Sequence, residues 1–259
     1  MLTPHTALAG ALRPAAGPRL APRRALVLGG AGALGAAVLE QLLGCHRFER
    51  VGVLAATRLQ PALRGLHVVA AQPEALAAFA ADTALIVFDR ERHANGRDAA
   101  FLRPQPGELP RHAQALLQAG ARCLIVVVPH APALLPQALK LGLASLDEGA
   151  VAALGFTQLV FMRMAQEGGR AAAGTLSAPQ RLAAWMLSQL RWMVPQREQA
   201  VRVDTIARVA AALALALPAA TTGTRVLPPE LLWRAAQGGA TAGDLVAAWL
   251  AAKPVSGAP

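Results

Sequence analysis

The residues best suited to chemistry lie in one short run, Gly29-Gly30-Ala31-Gly32-Ala33-Leu34-Gly35. Glycines at Gly29, Gly32 and Gly35 let a backbone turn tightly, approach a bulky anion and pack a following helix closely on the preceding strand. The unpaired N–H groups of a helix start would then face that anion, and a pyrophosphate suits such a turn. Two residues could move protons. Lys140 stands in a mostly apolar helical stretch, where burial would lower its pKa, and His130 follows Val128-Pro129 at the carboxyl end of a strand. Each also has a plain reading: a lysine whose stem packs while its ammonium reaches water, and a loop histidine with no special role. No catalytic residue is assigned, and these two remain candidates.

Other reactive types are poorly placed. Cys45 and His46 are adjacent but lack the further ligands and spacing of a zinc site, while Cys123 falls in an apolar strand and reads as a small packing residue. No metal site is expected. Asp147 and Glu148 are neighbours on a helix and point in different directions, which reads as solvated helix charge rather than an acid/base pair. Trp185 and Trp192, seven residues apart with Met186 and Met193 beside them, either cover the core or form a face for a partner protein.

The elements that must position these groups follow from apolar patterning. Ala25–Leu28 is a buried-strand run leading into the glycines, Ala36–Leu43 is helical, and a second strand at Arg50–Leu54 completes a βαβ unit. Strand-like runs at Leu66–Ala70, Thr83–Phe88, Arg122–Val128 and Gln158–Met162 alternate with helical patterns at Gln72–Ala80, Arg111–Ala119 and Leu134–Leu154. Such alternation predicts an α/β fold, a Rossmann-type doubly wound parallel sheet. Helices at Ser177–Val194, Asp204–Leu217, Pro228–Ala236 and Ala242–Ala252, with extended pieces at Val201–Val203 and Thr224–Leu227, predict a small C-terminal helical cap. The charged, proline-bearing connection Asp89–Pro110 is long for a βα loop; it is either a flap over the cleft or an irregular insertion.

Composition narrows the class. With 54% hydrophobic residues and mean hydropathy +0.39 the 259-residue chain can bury one substantial core, yet its longest apolar candidate, Val209–Ala220, is short and broken by Pro218, so no membrane span is expected. The net charge of +10 comes mostly from scattered arginines, with Lys140 and Lys253 the only lysines, which makes nucleic acid an unlikely partner. Two separate cysteines fit a reducing cytoplasm. Residues 1–23, rich in Ala, Pro and Arg, read as a flexible arm before a single domain at 24–257.

The chain resembles atypical short-chain dehydrogenase/reductases, in particular their Tat-interacting-protein-like oxidoreductase branch. The resemblance is carried by Gly29 to Gly35, Phe101-Leu102-Arg103, Leu154-Gly155-Phe156, Phe161-Met162-Arg163, Trp192-Met193-Val194-Pro195 and Val201 to Arg208. It implies an NAD(P)-binding Rossmann domain, with Gly29, Gly30, Ala31, Gly32, Ala33, Leu34 and Gly35 at the pyrophosphate. The tip of the second strand, about 20 residues beyond the glycines, is where an acid would hold the ribose of NAD. It reads Ala55-Ala56-Thr57-Arg58, so the acid is missing and Arg58 is the candidate to meet a 2′-phosphate, favouring NADP(H) over NAD(H).

The same resemblance places the family's catalytic Ser, Tyr and Lys on Pro129, Lys140 and Ala144. The chain has no tyrosine at all, so no register shift can supply the Tyr acid/base. Val87-Phe88-Asp89-Arg90 replaces a glycine-containing turn near the cofactor, and Met164 replaces a proline after Arg163. Three readings result. The first is a dinucleotide-binding protein that has lost Tyr-dependent catalysis and senses cofactor or holds a partner, another protein or a second copy of itself. The second is a noncanonical NADP-dependent oxidoreductase or isomerase using Lys140, His130 or groups of the substrate itself. The third is a cofactor-free interaction scaffold.

Overall fold

The computed structural model describes residues 23–57, 64–89, 100–130, 147–165 and 201–252. Seven strands form one wholly parallel sheet in the order β3-β2-β1-β4-β5-β6-β7. They are β1 (Arg24–Leu28), β2 (Arg50–Ala55), β3 (Leu66–Ala70), β4 (Thr83–Val87), β5 (Cys123–His130), β6 (Gln158–Ala165) and β7 (Gly223–Leu227). The described helices are α1 (Gly32–Gly44), α2 (Pro73–Phe79), α3 (Leu109–Gln118), α4 (Val203–Ala216), α5 (Pro229–Gln237) and α6 (Ala242–Ala251), and residues 147–152 are also helical.

A parallel sheet must be covered on both faces, and the strands are built for it. Because successive side chains alternate sides, each apolar run feeds two cores. Val27, Val53, Leu85, Ile125, Val160 and Met162 join Leu34, Val38 and Leu42 of α1 and Ile206, Val209 and Leu213 of α4. Leu26, Leu28, Ile86, Leu124, Val126 and Phe161 join Leu76 of α2, Leu116 of α3 and Val151. The doubly wound α/β architecture read from alternation is therefore the one observed.

Several boundaries differ from the sequence reading, for local reasons. α1 begins at Gly32 rather than Ala36, because two of the glycines expected in the turn already belong to the helix. β5 runs on to His130 because β6 extends beside it to Ala165, giving eight paired residues. Val201–Val203 is not an extended element: Val203 opens α4, whose first turn is closed by Thr205 and Ile206 N–H groups donating to the Arg202 carbonyl. The extended piece at Thr224–Leu227 is present as β7, and it is the seventh strand of the main sheet, beside β6. α4 packs on α1, and α5 and α6 pack on α4, so the C-terminal helices are rooted in the core. Helices expected over 134–146 and 177–194 lie outside the described residues.

No described helix is long and apolar enough to cross a membrane.

Candidate functional site

The switch point of the sheet lies between β1 and β4. From β1 the chain winds outward through β2 and β3, then returns to place β4 on the other side of β1, and that reversal opens a crevice at the carboxyl ends of the two strands. The glycine run occupies this position. Gly29 and Gly32 have φ of +92° and +85°, a left-handed backbone that residues with a Cβ rarely adopt. A Cβ on Gly29 would run into the Val87 carbonyl oxygen, and one on Gly35 would run into the Gly29 carbonyl oxygen. The turn is thus pressed against β4 in front and against its own helix behind. Ala31 is the N-cap of α1, has extended φ and ψ, and supplies no capping side chain.

The cap comes from elsewhere. The Leu34 backbone N–H donates to Asp89 Oδ2 at 2.7 Å, across 55 residues of sequence. Asp89 sits just beyond β4, so a carboxylate rather than a glycine-containing turn faces the start of α1. A Cβ on Gly32 would lie 2.5 Å from that same Oδ2. The sequence reading marked Asp89 only as a departure from the family pattern. The available signal was an acid at the carboxyl end of the strand facing the glycine turn.

The described end of the Asp89–Pro110 connection lies over the same edge. Phe101 bridges Ala55 in antiparallel sense, the Ala56 N–H donates to the Ala100 carbonyl at 2.9 Å, and the Leu102 N–H donates to the Leu54 carbonyl at 3.0 Å. β2 outruns β1 here, because β1 has already turned into the glycines, and the 100–102 backbone takes up the hydrogen bonds that a longer β1 would have made. Pro104 Cδ would lie 3.2 Å from a Cβ on Gly29. This part of the connection is hydrogen-bonded to the carboxyl end of β2 beside the glycine turn.

Of the other candidates, His130 and Pro129 end β5 at the carboxyl edge, paired in register with Ala165 and Met164 of β6. Arg58, Lys140 and Ala144, and with them Trp185, Met186, Trp192 and Met193, lie outside the described residues. Glu148 is not the solvated helix charge that the sequence suggested. Its carboxylate accepts two hydrogen bonds from Arg163, from Nε at 3.2 Å and from a terminal nitrogen at 2.5 Å, and its side chain is 14% exposed. A forked pair of this kind fixes the carboxyl end of β6 to the helical residues 147–152.

The two cysteines are unlike each other. Cys123 is buried and its thiol donates to Gln158 Oε1 at 3.0 Å; burial first, and the nearby Asp82 charge second, push its pKa up to about 11. It therefore stays a protonated, unreactive thiol at neutral pH. Cys45 caps α1, is half-buried and donates to the Leu42 carbonyl. In the native protein an alkylating reagent is expected to label Cys45 and leave Cys123 unmodified until denaturant is added, as peptide mass spectrometry would show. Equal labelling of both would contradict the packing of β5. The unfolded thiol ionises near 9 and the folded one near 11, so this residue's contribution to stability falls as pH rises through that window.

No group of three or more metal-binding side chains occurs among the described residues.

No family model and no curated protein matches the sequence. Solved structures do. A Bacillus halodurans protein of the NAD-dependent epimerase/dehydratase type shares 15% identity, with 86% of this chain and 98% of that one covered at a TM-score of 0.52. The Bordetella bronchiseptica enzyme WbmG, solved in complex with NAD, shares 16% identity over 86% of this chain and 80% of its own, at a TM-score of 0.46. WbmH from the same organism, in complex with NAD+, shares 14% identity over 81% and 79%, at a TM-score of 0.46. The match to the Bacillus halodurans structure over nearly its whole length agrees with the strand order found above: this chain has a Rossmann-type α/β fold like that of the Bacillus halodurans structure.

Proposed function

We propose that this protein binds a nicotinamide dinucleotide at the Gly29 to Gly35 turn and acts as a cofactor-sensing or partner-binding protein rather than through Tyr-dependent hydride transfer. The observation that carries the reading is the turn itself. Two left-handed glycines and a third without room for a Cβ bring the backbone to the switch point and leave the start of a 13-residue helix facing it. Gly29, Gly30, Ala31, Gly32, Ala33, Leu34 and Gly35 would line the pyrophosphate. The second-strand tip, Ala55-Ala56-Thr57-Arg58, contains no acid for a ribose 2′-hydroxyl, which supports NADP(H) over NAD(H), with Arg58 at the 2′-phosphate. The absence of tyrosine from the chain supports the loss of the usual acid/base step.

Calorimetric titration of the purified protein with NADPH and NADH tests this, alongside a Gly32→Asp variant that places a second carboxylate in the turn. Binding of NADPH by the parent, weakened at least about tenfold in the variant, is the expected result. Binding unchanged by the variant would move the site elsewhere. No binding of either cofactor would favour the scaffold reading. Steady turnover of bound NADPH, lost in Lys140→Ala, would favour the noncanonical enzyme instead.

A further inference from the structure

The start of α1 has its anion already. Helices gain from negative charge near their first turn, and α1 has no acid there and no capping side chain at Ala31. Asp89 supplies what is missing, with Oδ2 2.7 Å from the Leu34 nitrogen and close against Gly32. That oxygen sits where the fold's geometry would seat a phosphate oxygen, at the N–H groups of the first turn. Beside it the 100–102 backbone is hydrogen-bonded to the carboxyl end of β2, and Pro104 lies against Gly29. Asp89 and Pro104 thus lie beside the glycine turn on the side where a pyrophosphate would approach it.

We propose that Asp89 is an internal counter-anion that holds the dinucleotide site shut, so that a pyrophosphate enters only by displacing its carboxylate from the start of α1. The inference rests on the dinucleotide reading above and adds its regulation. The physical reason is competition. Carboxylate and pyrophosphate seek the same N–H groups, and if both stayed they would repel at short range in a partly desolvated crevice. Any event that draws Asp89 away, such as a partner offering it a cation, would then raise cofactor affinity with no change in the glycine turn.

The test titrates the full-length protein, Asp89→Asn and Asp89→Ser with NADPH and with NADH, with thermal melts confirming that each is folded. Asparagine keeps an oxygen for the Leu34 N–H and nearly the same volume but carries no charge; serine also removes the reach. The expected result is a gain in NADPH affinity of at least about tenfold in Asp89→Asn and a larger gain in Asp89→Ser. If the folded variants bind no more tightly than the parent, the shut-site proposal is overturned while dinucleotide binding stands. If parent and both folded variants bind neither cofactor, the dinucleotide reading falls and this proposal falls with it.

Discussion

Gly35→Ala is expected to destabilise the protein by about 3 kcal/mol or more, enough to leave much of the population unfolded in a marginally stable domain. A single methyl group has this effect because of what it meets. The Cβ would overlap the Gly29 carbonyl oxygen and lie 2.9 Å from the Gly30 carbonyl carbon and Cα, which are backbone atoms with no rotamer to yield. Relief requires α1 to move away from the turn, and α1 is bound along its length by β1, β2 and α4. An internal comparison isolates the cause. Gly44, at the other end of the same helix, has nothing within 4 Å of an added Cβ, so Gly44→Ala should be neutral or stabilising by up to about 1 kcal/mol. Urea unfolding followed by circular dichroism compares the two. Equal midpoints would mean that the close approach of helix and turn is absent in solution.

Phe161→Ala should cost about 3–5 kcal/mol, the usual range for emptying a buried aromatic site. Phe161 is 2% exposed near the middle of β6 and belongs to the core formed with α2 and α3. Its register partner on the edge strand β7, Val226, is 49% exposed, whereas its β7 neighbours Arg225 and Leu227, which point to the opposite face, are buried. Val226→Ala should therefore cost less than about 1 kcal/mol although it lies beside Phe161 in the ladder. The same unfolding curves measure both, and a large effect at Val226 would show that this edge is covered in solution.

The interior of the sheet was legible in the sequence because its strands are buried on both sides. Thr83–Val87 is buried at every residue, and such runs bounded by turn residues are hard to mistake. β7 was harder to place. Gly-Thr-Arg-Val-Leu alternates buried with uncovered positions, and its Arg225 is buried by donating to the Thr221 carbonyl and hydroxyl rather than by any charge partner in the pattern. An extended piece was evident, but its place at the sheet edge was set by β6 and could not be read locally. The glycine turn was legible because its constraints are local, a tight bend and a close helix. The cap on that turn was not, since Asp89 reaches Leu34 from 55 positions away and no periodicity links the two. Glu148 was misread for the same reason: its partner Arg163 lies on the next strand, outside the helix pattern that suggested a solvated acid.

The packing of α4 on α1 has a consequence for how the protein is made. Chains emerge from the ribosome N-terminal end first, so Gly32–Gly44 is available early, whereas the Ile206, Val209 and Leu213 that cover it are synthesised more than 160 residues later. Until then Leu34, Val38 and Leu42 have only the strands to pack on. The face of the helix that carries the glycine turn is thus completed only by a segment made much later, so its enclosure must wait for Val203–Ala216 to emerge.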